Sequence, residues 1–477
     1  NNIRIITSPQ ATLAADAALT DRLPEEIQPT DTDNQPFWLD EYFTRRIEDY
    51  LGINGETRVK SLEEIQDDLR RFEPREVLTT IPQTGSFNPD ALINRGTLSR
   101  FEPLLSDRLQ MILITAYGEP ILYRPLVNKD EIEGNDATRA NVPDEVSEFQ
   151  QAIFDDLGQY EEERVSNENH YLLRSQRLYQ WLVQPLDEDL RNQGIQSLVF
   201  IMDEGLRSTP LAVLSAMHDG QQFIIENYSV GLMPSFSLTN TRYTDLRNSR
   251  LLAMGMTDFS QYRLEDLEDL EAVDEEIRLI TQQIWSNSAS DIPLLNRDFT
   301  PEKLAFHRQN QAASVVHLAT HARVEMGTPE DSFIAFFDRK LLFNEFDRLS
   351  LDNPPIELLV LSACETALDT NAELGFAGLS VQAGVNTSLA SLWEVTDVAT
   401  LGLMAEFYSQ LQSAPIRAEA LRQTQLAMIR RQVFLDGGRL VWSSGSELIP
   451  SLSNSVDRLE LFHPGYWSSF TIIGNPW

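Results

Sequence analysis

The 477-residue chain predicts an α/β fold built on a mostly parallel sheet with helices on both faces, and three observations carry that expectation. From Tyr171 onwards, apolar strand-like runs alternate with amphipathic helical ones, the order that produces parallel sheets covered by helices. The best of these runs, Ser-Val-Val-His-Leu-Ala-Thr at 314–320 and Leu-Leu-Val-Leu-Ser at 358–362, are almost continuously apolar. That is the pattern of strands buried on both faces, not of half-exposed ones. Third, a composition of 42% hydrophobic and 23% charged residues is that of a folded globular protein.

In chain order, residues 1–36 are rich in Asp, Thr, Pro and Gln, lack a sustained apolar period, and read as a flexible arm or linker. From Phe37 to about Arg71 the apolar positions fall at helical spacing, predicting two helices broken near Gly52 and Gly55. Arg108–Ala116 and Pro120–Leu126 flank Tyr117-Gly118-Glu119 and predict a hairpin. Residues 37–170 therefore form a smaller mixed α/β region, closed by an acidic stretch, 128–169, read as a loop plus a solvated amphipathic helix through Phe149, Ile153 and Leu157. Beyond it, helices are expected at Tyr171–Leu182, Ala272–Ile284, Pro301–His307, Glu373–Ala383, Val398–Leu411 and Ile416–Arg430. Strands are expected at Ser197–Met202, Phe223–Met233, Leu251–Gly255, Ser314–Ala319, Ser332–Phe337, Glu357–Ser362, Thr387–Leu392 and Ser469–Ile473. No fixed-period repeat is visible.

Charge and cysteine content narrow the function classes. Asp and Glu number 73 against 38 Lys and Arg, a formal net charge of −35, so a phosphate backbone or an anionic bilayer is repelled and nucleic acid is not an expected partner. No apolar run approaches the roughly 18 residues that cross a bilayer. The one cysteine, Cys364, excludes an intrachain disulfide and a cysteine-rich zinc site. A cytoplasmic setting is the default expectation, with export if an upstream signal has been removed.

Two strand ends then carry the chemistry, because each apolar run stops at a residue that can react: His321 after 314–320, and Cys364 after 358–363. Ligands in open α/β sheets bind beyond the carboxyl ends of strands, so adjacency of the two strands would bring thiol and imidazole together. A thiolate attacks a carbonyl, and the imidazole takes the thiol proton and later delivers it to the leaving amine. The backbone N–H groups of Ala322 and Cys364 are the natural oxyanion donors at such exits. The plain alternatives are a small buried hydrophobe for Cys364 and a satisfied histidine for His321. His317, on the same strand, reads as a core residue or a support for its neighbours. The acidic run 265–276 reads as a solvated helix face, since no Asp-x-Asp-x-Asp-Gly loop for calcium accompanies it. Arg70-Arg71 and Arg430-Arg431 are candidate self-cleavage points should the P1 residue be basic.

His317-Leu-Ala-Thr-His321, Leu361-Ser-Ala-Cys-Glu-Thr366, the run from Ala390 to Thr400 and His463-Pro-Gly-Tyr-Trp through Gly474 together resemble the CHAT family, caspase-like peptidases related to caspases and separases. The ordered match spans Tyr171–Trp477 and is similar to cyanobacterial members. The resemblance implies a caspase-like fold over residues 171–477, with the catalytic part at about 251–477, and a cysteine endopeptidase that needs no cofactor. Cys364 then corresponds to the nucleophile and His321 to the acid/base. Family relatives usually place glycine after the histidine, where this chain has Ala322, which keeps its N–H. Asp397 resembles the acidic residue at the base of the separase-like S1 pocket, implying cleavage after Arg, with Lys second. It also stands where a helix N-cap belongs. Trp393 and Glu394 are further S1 candidates. Protein or peptide substrates are the expected partners, with a regulatory partner through the N-terminal region. The rival readings are a caspase-like scaffold or sensor without turnover, and a thiol hydrolase or acyltransferase acting on a small amide or ester.

Overall fold

In a computed structural model the described residues are 2–3, 38–51, 57–71, 95–99, 111–116, 120–123, 141–161, 170–202, 205–216, 222–260, 267–285, 287, 293–323, 332–342, 345, 349, 351, 354–362, 384–452 and 458–477. The apolar runs of the sequence assemble there into one sheet of twelve strands. Its strands are β1 (Asn2–Ile3), β2 (Arg95–Ser99), β3 (Met111–Thr115), β4 (Ile121–Tyr123), β5 (Ser197–Met202), β6 (Ser229–Leu232), β7 (Leu251–Gly255), β8 (Leu294–Leu295), β9 (Val315–Ala319), β13 (Leu358–Ser362), β14 (Thr387–Ser391) and β19 (Phe470–Gly474). Between them, β10 (Ala322–Arg323), β11 (Phe333–Ala335) and β12 (Lys340–Leu342) form a small antiparallel sheet, and β15 (Phe434–Asp436), β16 (Arg439–Trp442), β17 (Gly445–Leu448) and β18 (Arg458–Glu460) form another. The helices are α1 (Trp38–Leu51), α2 (Leu62–Arg70), α3 (Asn141–Glu161), α4 (His170–Leu182), α5 (Asp187–Asn192), α6 (Ile224–Asn227), α7 (Val273–Arg278), α8 (Pro301–Gln311), α9 (Asp397–Leu411), α10 (Arg417–Ile429) and α11 (Pro464–Trp467).

The large sheet runs β4-β3-β2-β5-β6-β19-β14-β13-β9-β7-β8, with β1 on β5. It is mostly parallel, as expected, with antiparallel pairs only at β2–β3, β3–β4 and β14–β19. Because β19 is parallel to β6 and antiparallel to β14, the strands of the two halves run in opposite directions. The carboxyl ends of β7, β9, β13 and β14 therefore share one rim.

Period-two alternation explains why β5 reads as a continuous apolar run. Leu198, Phe200 and Met202 enter the main core, while Val199 and Ile201 enter a second core with Phe43 of α1 and Ile65 and Leu69 of α2. The N-terminal hairpin β3–β4 extends this same sheet through β2. The two helices expected between Phe37 and Arg71 are present as α1 and α2, the second opened by a Ser61/Glu64 capping box. Of the arm 1–36, only Asn2–Ile3 lies within the described residues, pairing with Ile201 and Met202. The expected helix Glu373–Ala383 lies outside them.

Two local expectations are corrected. Phe223–Met233 is not one strand: Ile224–Asn227 forms α6, where Glu226 Oε1 accepts the Phe223 N–H at 2.9 Å, and only Ser229–Leu232 joins the sheet. A side-chain cap thus overrides the β-branched preference of Ile224-Ile225. Nor is the acidic run a uniformly solvated helix face. The helix begins at Val273, continues as a π-helix over Leu279–Ile284, and buries Glu276 at 2% exposure.

Asp40 of α1 locks the N-terminal region to the turn after β6. Its carboxylate accepts the backbone N–H of Phe236 (2.6 Å) and Ser237 (2.9 Å), together with the Ser237 hydroxyl. Burial nonetheless pushes its pKa up to about 6, outweighing those bonds. The folded state therefore holds the proton more tightly than the unfolded chain, so this group costs stability as pH rises from about 4 to about 6, after which the cost is constant. Asp40→Asn is expected to remove that slope in urea unfolding followed across pH. Asp40→Ala, which takes the acceptor away from all three donors, is expected to destabilise by about 1–3 kcal/mol for each one left buried.

Candidate active site

The rim where β7, β9, β13 and β14 end is shaped first by a close approach. At Gly255, the last residue of β7, a Cβ would lie 2.5 Å from Val273 Cγ1 and 2.9 Å from the Ala319 carbonyl oxygen. Only a residue without a side chain lets the start of α7 sit this tightly on the end of β7 beside Ala319. The chain before α7 is tied down at two further points: Leu270 N–H donates to the Thr257 carbonyl (3.0 Å), and Phe259 N–H donates to Asp269 Oδ1 (2.8 Å).

That anchored segment orients His321. Its Nε2 lies 2.7 Å from the backbone oxygen of Glu268, and Phe259 packs edge-on to the ring at 4.7 Å. A carbonyl can only accept, so Nε2 carries the hydrogen and Nδ1 is left with the lone pair. A base at this position would act through Nδ1.

On β9, alternation places His317 and Ala319 on one face. His317 is fully buried, with Nδ1 3.1 Å from the Tyr408 hydroxyl of α9 and Nε2 2.9 Å from Glu276 Oε1 of α7. It supports the interior, as its place in the strand suggested. Burial, and then the Glu276 charge, hold the Tyr408 hydroxyl well above its ordinary range.

Asp397 opens α9 but does not cap it. Thr396 occupies the cap position without a side-chain cap bond, and the Asp397 carboxylate instead accepts the backbone N–H groups of Ala272 and Glu271. Its pKa is nevertheless pushed up to about 6, first by burial and second by the Glu276 charge, against the opposing effects of those N–H groups and of nearby His321. Asp397 and Glu276 line one recess together with Ser362 at the end of β13, Ser391 at the end of β14, and Val395.

The remaining site residues fall as follows. Ala322 starts β10; the Ala335 N–H donates to the His321 carbonyl at 2.9 Å, and ladder alternation then turns the Ala322 N–H away from β11. Its backbone is not left-handed, so alanine in place of glycine brings no strain. Trp393 does not line the recess: it is fully buried, with its indole N–H on the Gly465 carbonyl at 3.1 Å and its ring against Phe154. Glu394 is exposed and also stands off the recess. Cys364 lies outside the described residues, but the strand leading to it does not: β13 pairs in parallel with β9, Ser362 opposite Ala319, and Thr320 N–H reaches the Ser362 carbonyl at 3.3 Å. Both strands therefore stop side by side, two residues before Cys364 and His321 respectively.

A family model described as the CHAT domain matches residues 173–475. The chain belongs to the CHAT family. A search of curated proteins finds no match. Among solved structures, this CHAT chain is similar to the complex of Porphyromonas gingivalis RgpB pro- and mature domains, with 12% identity and a TM-score of 0.36, covering 70% of this chain and 75% of that one. It is also similar to the Saccharomyces cerevisiae separase–securin complex, with 12% identity and a TM-score of 0.43, covering 80% of this chain and 30% of that one.

Sequence reasoning missed Glu268, whose contribution is a backbone carbonyl that no side-chain pattern reveals. It also missed Glu276, which interrupts the apolar helical stripe Val273, Ile277, Ile280. That interruption was the available signal. Among the described residues no group of three His, Cys, Asp or Glu is placed to hold a metal ion, and no helix is long and apolar enough to cross a membrane.

Proposed function

We propose that this CHAT protein is a cysteine endopeptidase in which Cys364 is the nucleophile and His321 the acid/base, acting on protein or peptide substrates after Arg, with Lys second. The observation that carries the reading is the register of β9 and β13, whose paired ends lead directly into His321 and Cys364. The His321 tautomer supports it, since Nε2–H is spent on Glu268 and Nδ1 is available for a thiol proton.

In the reaction, His321 Nδ1 takes the Cys364 proton and the sulfur forms a bond to the scissile carbonyl carbon. Backbone N–H groups of Ala322 and Cys364 hold the oxyanion. As the C–N bond breaks, His321 returns the proton to the leaving amine. Water, deprotonated by the same imidazole, then displaces the thioester and regenerates the thiol.

The test is twofold. A fluorogenic peptide library should show turnover with Arg at P1 above Lys and far above Leu. An arginyl chloromethylketone should then add one inhibitor to the protein, located at Cys364 by peptide mass spectrometry. A scaffold would show neither turnover nor labelling, and an enzyme acting on small amides would label without cutting peptides.

A further inference from the structure

We infer that the cavity between α2 and the chain leaving β6 is a second ligand site, one that takes a small organic phosphate. The inference goes beyond the peptidase reading and does not depend on it.

Position, room and charge each point to it. The halves of the sheet run in opposite directions, so carboxyl strand ends meet solvent at both rims, and ligands of open α/β sheets bind beyond such ends. One rim leads into His321 and Cys364. The other is bordered by the chain leaving β6, which is pinned to the end of β19 where the Asn475 amide donates to the carbonyls of Asn240 (2.8 Å) and Arg242 (2.7 Å). Residues 237–243 of that chain, with Lys60, Asp68 and Arg71 of the α2 region, border a cavity of about 750 Å³. Small-molecule sites occupy roughly 300–1,000 Å³. Lys60, Arg71 and Arg242 face a single carboxylate, Asp68, so the lining carries a surplus of two positive charges in a chain whose net charge is −35.

The chemistry of the ligand follows from what is already spent. Asp68 is saturated: its oxygens take Lys60 Nζ at 2.8 Å, Arg71 Nη1 at 3.2 Å and the Thr241 hydroxyl at 2.7 Å. The Arg242 guanidinium has no hydrogen bond or ion pair among the described residues, while its backbone is anchored, the N–H on Asn240 Oδ1 at 3.2 Å and the carbonyl on Asn475. Arg242 thus offers a whole fork, and Arg71 the remainder of one, to oxygens that a ligand brings. A surplus of two charges matches a phosphate monoester, which carries about −1.5 to −2 at pH 7, better than a single carboxylate. Phosphate alone leaves most of the cavity empty, so the ester bears an organic body, for which Leu238 and the Tyr243 ring supply apolar lining. The overall negative charge keeps long polyanions away, whereas a compact dianion responds to charges within a Debye length, about 8 Å at physiological salt.

Calorimetric titration of the full, unmutated chain with adenosine monophosphate and with glucose 6-phosphate tests the site. At least one of the two is expected to bind saturably. Its uncharged parent, adenosine or glucose, and inorganic phosphate should each bind at least about tenfold more weakly, because each lacks one half of the recognised chemistry. Arg242→Ala and Arg71→Ala should each weaken the ester at least about tenfold, the scale of one charge-assisted bond. Arg242→Lys should lose less than Arg242→Ala, since the charge stays and only the fork is gone. Arg439→Ala, which removes an exposed arginine away from the cavity, should change nothing. Arg71 and Arg242 are exposed, so urea midpoints of their variants should match the parent and separate lost binding from lost folding. Absence of saturable binding by both esters at millimolar concentration, or an equal loss in Arg439→Ala, would overturn the inference. Tighter binding of succinate, or of a phosphoserine peptide, than of either ester would overturn the assignment to a small organic phosphate. No readout involves turnover, so failure here and failure of the peptidase reading are scored separately.

Discussion

Cys364→Ala and His321→Ala are each expected to lower kcat/KM on the best P1-Arg peptide by at least about 10³-fold, and the double variant is expected to be no worse than either single one. The two side chains act as one unit in the proposed reaction. Without the thiol there is no nucleophile for the imidazole to activate. Without the imidazole the thiol keeps its proton and the leaving amine departs unprotonated. Residual activity should come from binding and oxyanion donors alone, which neither substitution removes. Stopped assays over the three variants, with KM determined for each, give the check. KM should move little, because neither residue contributes to the recess that holds the P1 side chain. Losses that multiply in the double variant would mean that the two act independently, contrary to a dyad. A further readout concerns orientation. The His321 ring is held by the Glu268 carbonyl and by the Phe259 edge, so Phe259→Ala should lower kcat with little change in KM, by no more than about tenfold, the scale of one aromatic edge contact.

The strands at this site were legible because burial on both faces forces apolar residues at successive positions. Val315–Ala319, Leu358–Ser362 and Thr387–Ser391 carry that mark, and their ends agree with the expected ones within about a residue. Helices α9 and α10 were legible from runs of 15 and 13 residues that are too long for strands and rich in helix formers such as Ala, Leu, Met and Gln. Elements governed by short-range side-chain bonds were harder, as Ile224–Asn227 illustrates, where one carboxylate on one N–H decides the conformation. The sheet β15–β18 has no counterpart among the expected strands, although its first turn has a signature: Gly437-Gly438, with φ of 55° and 76°, joins two short alternating runs as a two-residue hairpin. At the site itself, His321 could be picked out because it follows an apolar strand. Asp397 was legible only through resemblance. By residue type alone it fits an N-cap, and only the structure shows that its oxygens are turned across to Ala272 and Glu271 instead of back onto its own helix. Glu276 carried a fainter mark, a carboxylate standing on the apolar stripe among seven other acidic residues between Glu265 and Glu275, and its burial depends on the approach of α7 to β7 at Gly255.

Asp397→Asn is expected to lower kcat/KM for P1-Arg peptides by about 10²-fold, the scale of a charge-assisted bidentate pair, while peptides with Leu at P1 are unaffected. The unmutated enzyme should show the same dependence through pH. With a pKa raised to about 6, the free Asp397 carboxyl is about nine-tenths ionised at pH 7 and about one-tenth ionised at pH 5. Its attraction for guanidinium therefore disappears as pH falls, and kcat/KM for Arg should drop about tenfold per unit below pH 6. In the complex a bound cation stabilises the carboxylate, so the kcat profile should bend at lower pH than the kcat/KM profile. Asp397→Asn should lose the Arg-specific bend and keep whatever dependence Leu peptides show. Folding does not confuse the result, because the sign of the linkage runs the other way. A carboxyl whose pKa is raised on folding is a burden to the folded state once both states are ionised, so the asparagine variant should be no less stable than the parent above pH 6. A variant that unfolds at an unchanged or higher urea concentration yet loses Arg selectivity isolates the charge as the cause.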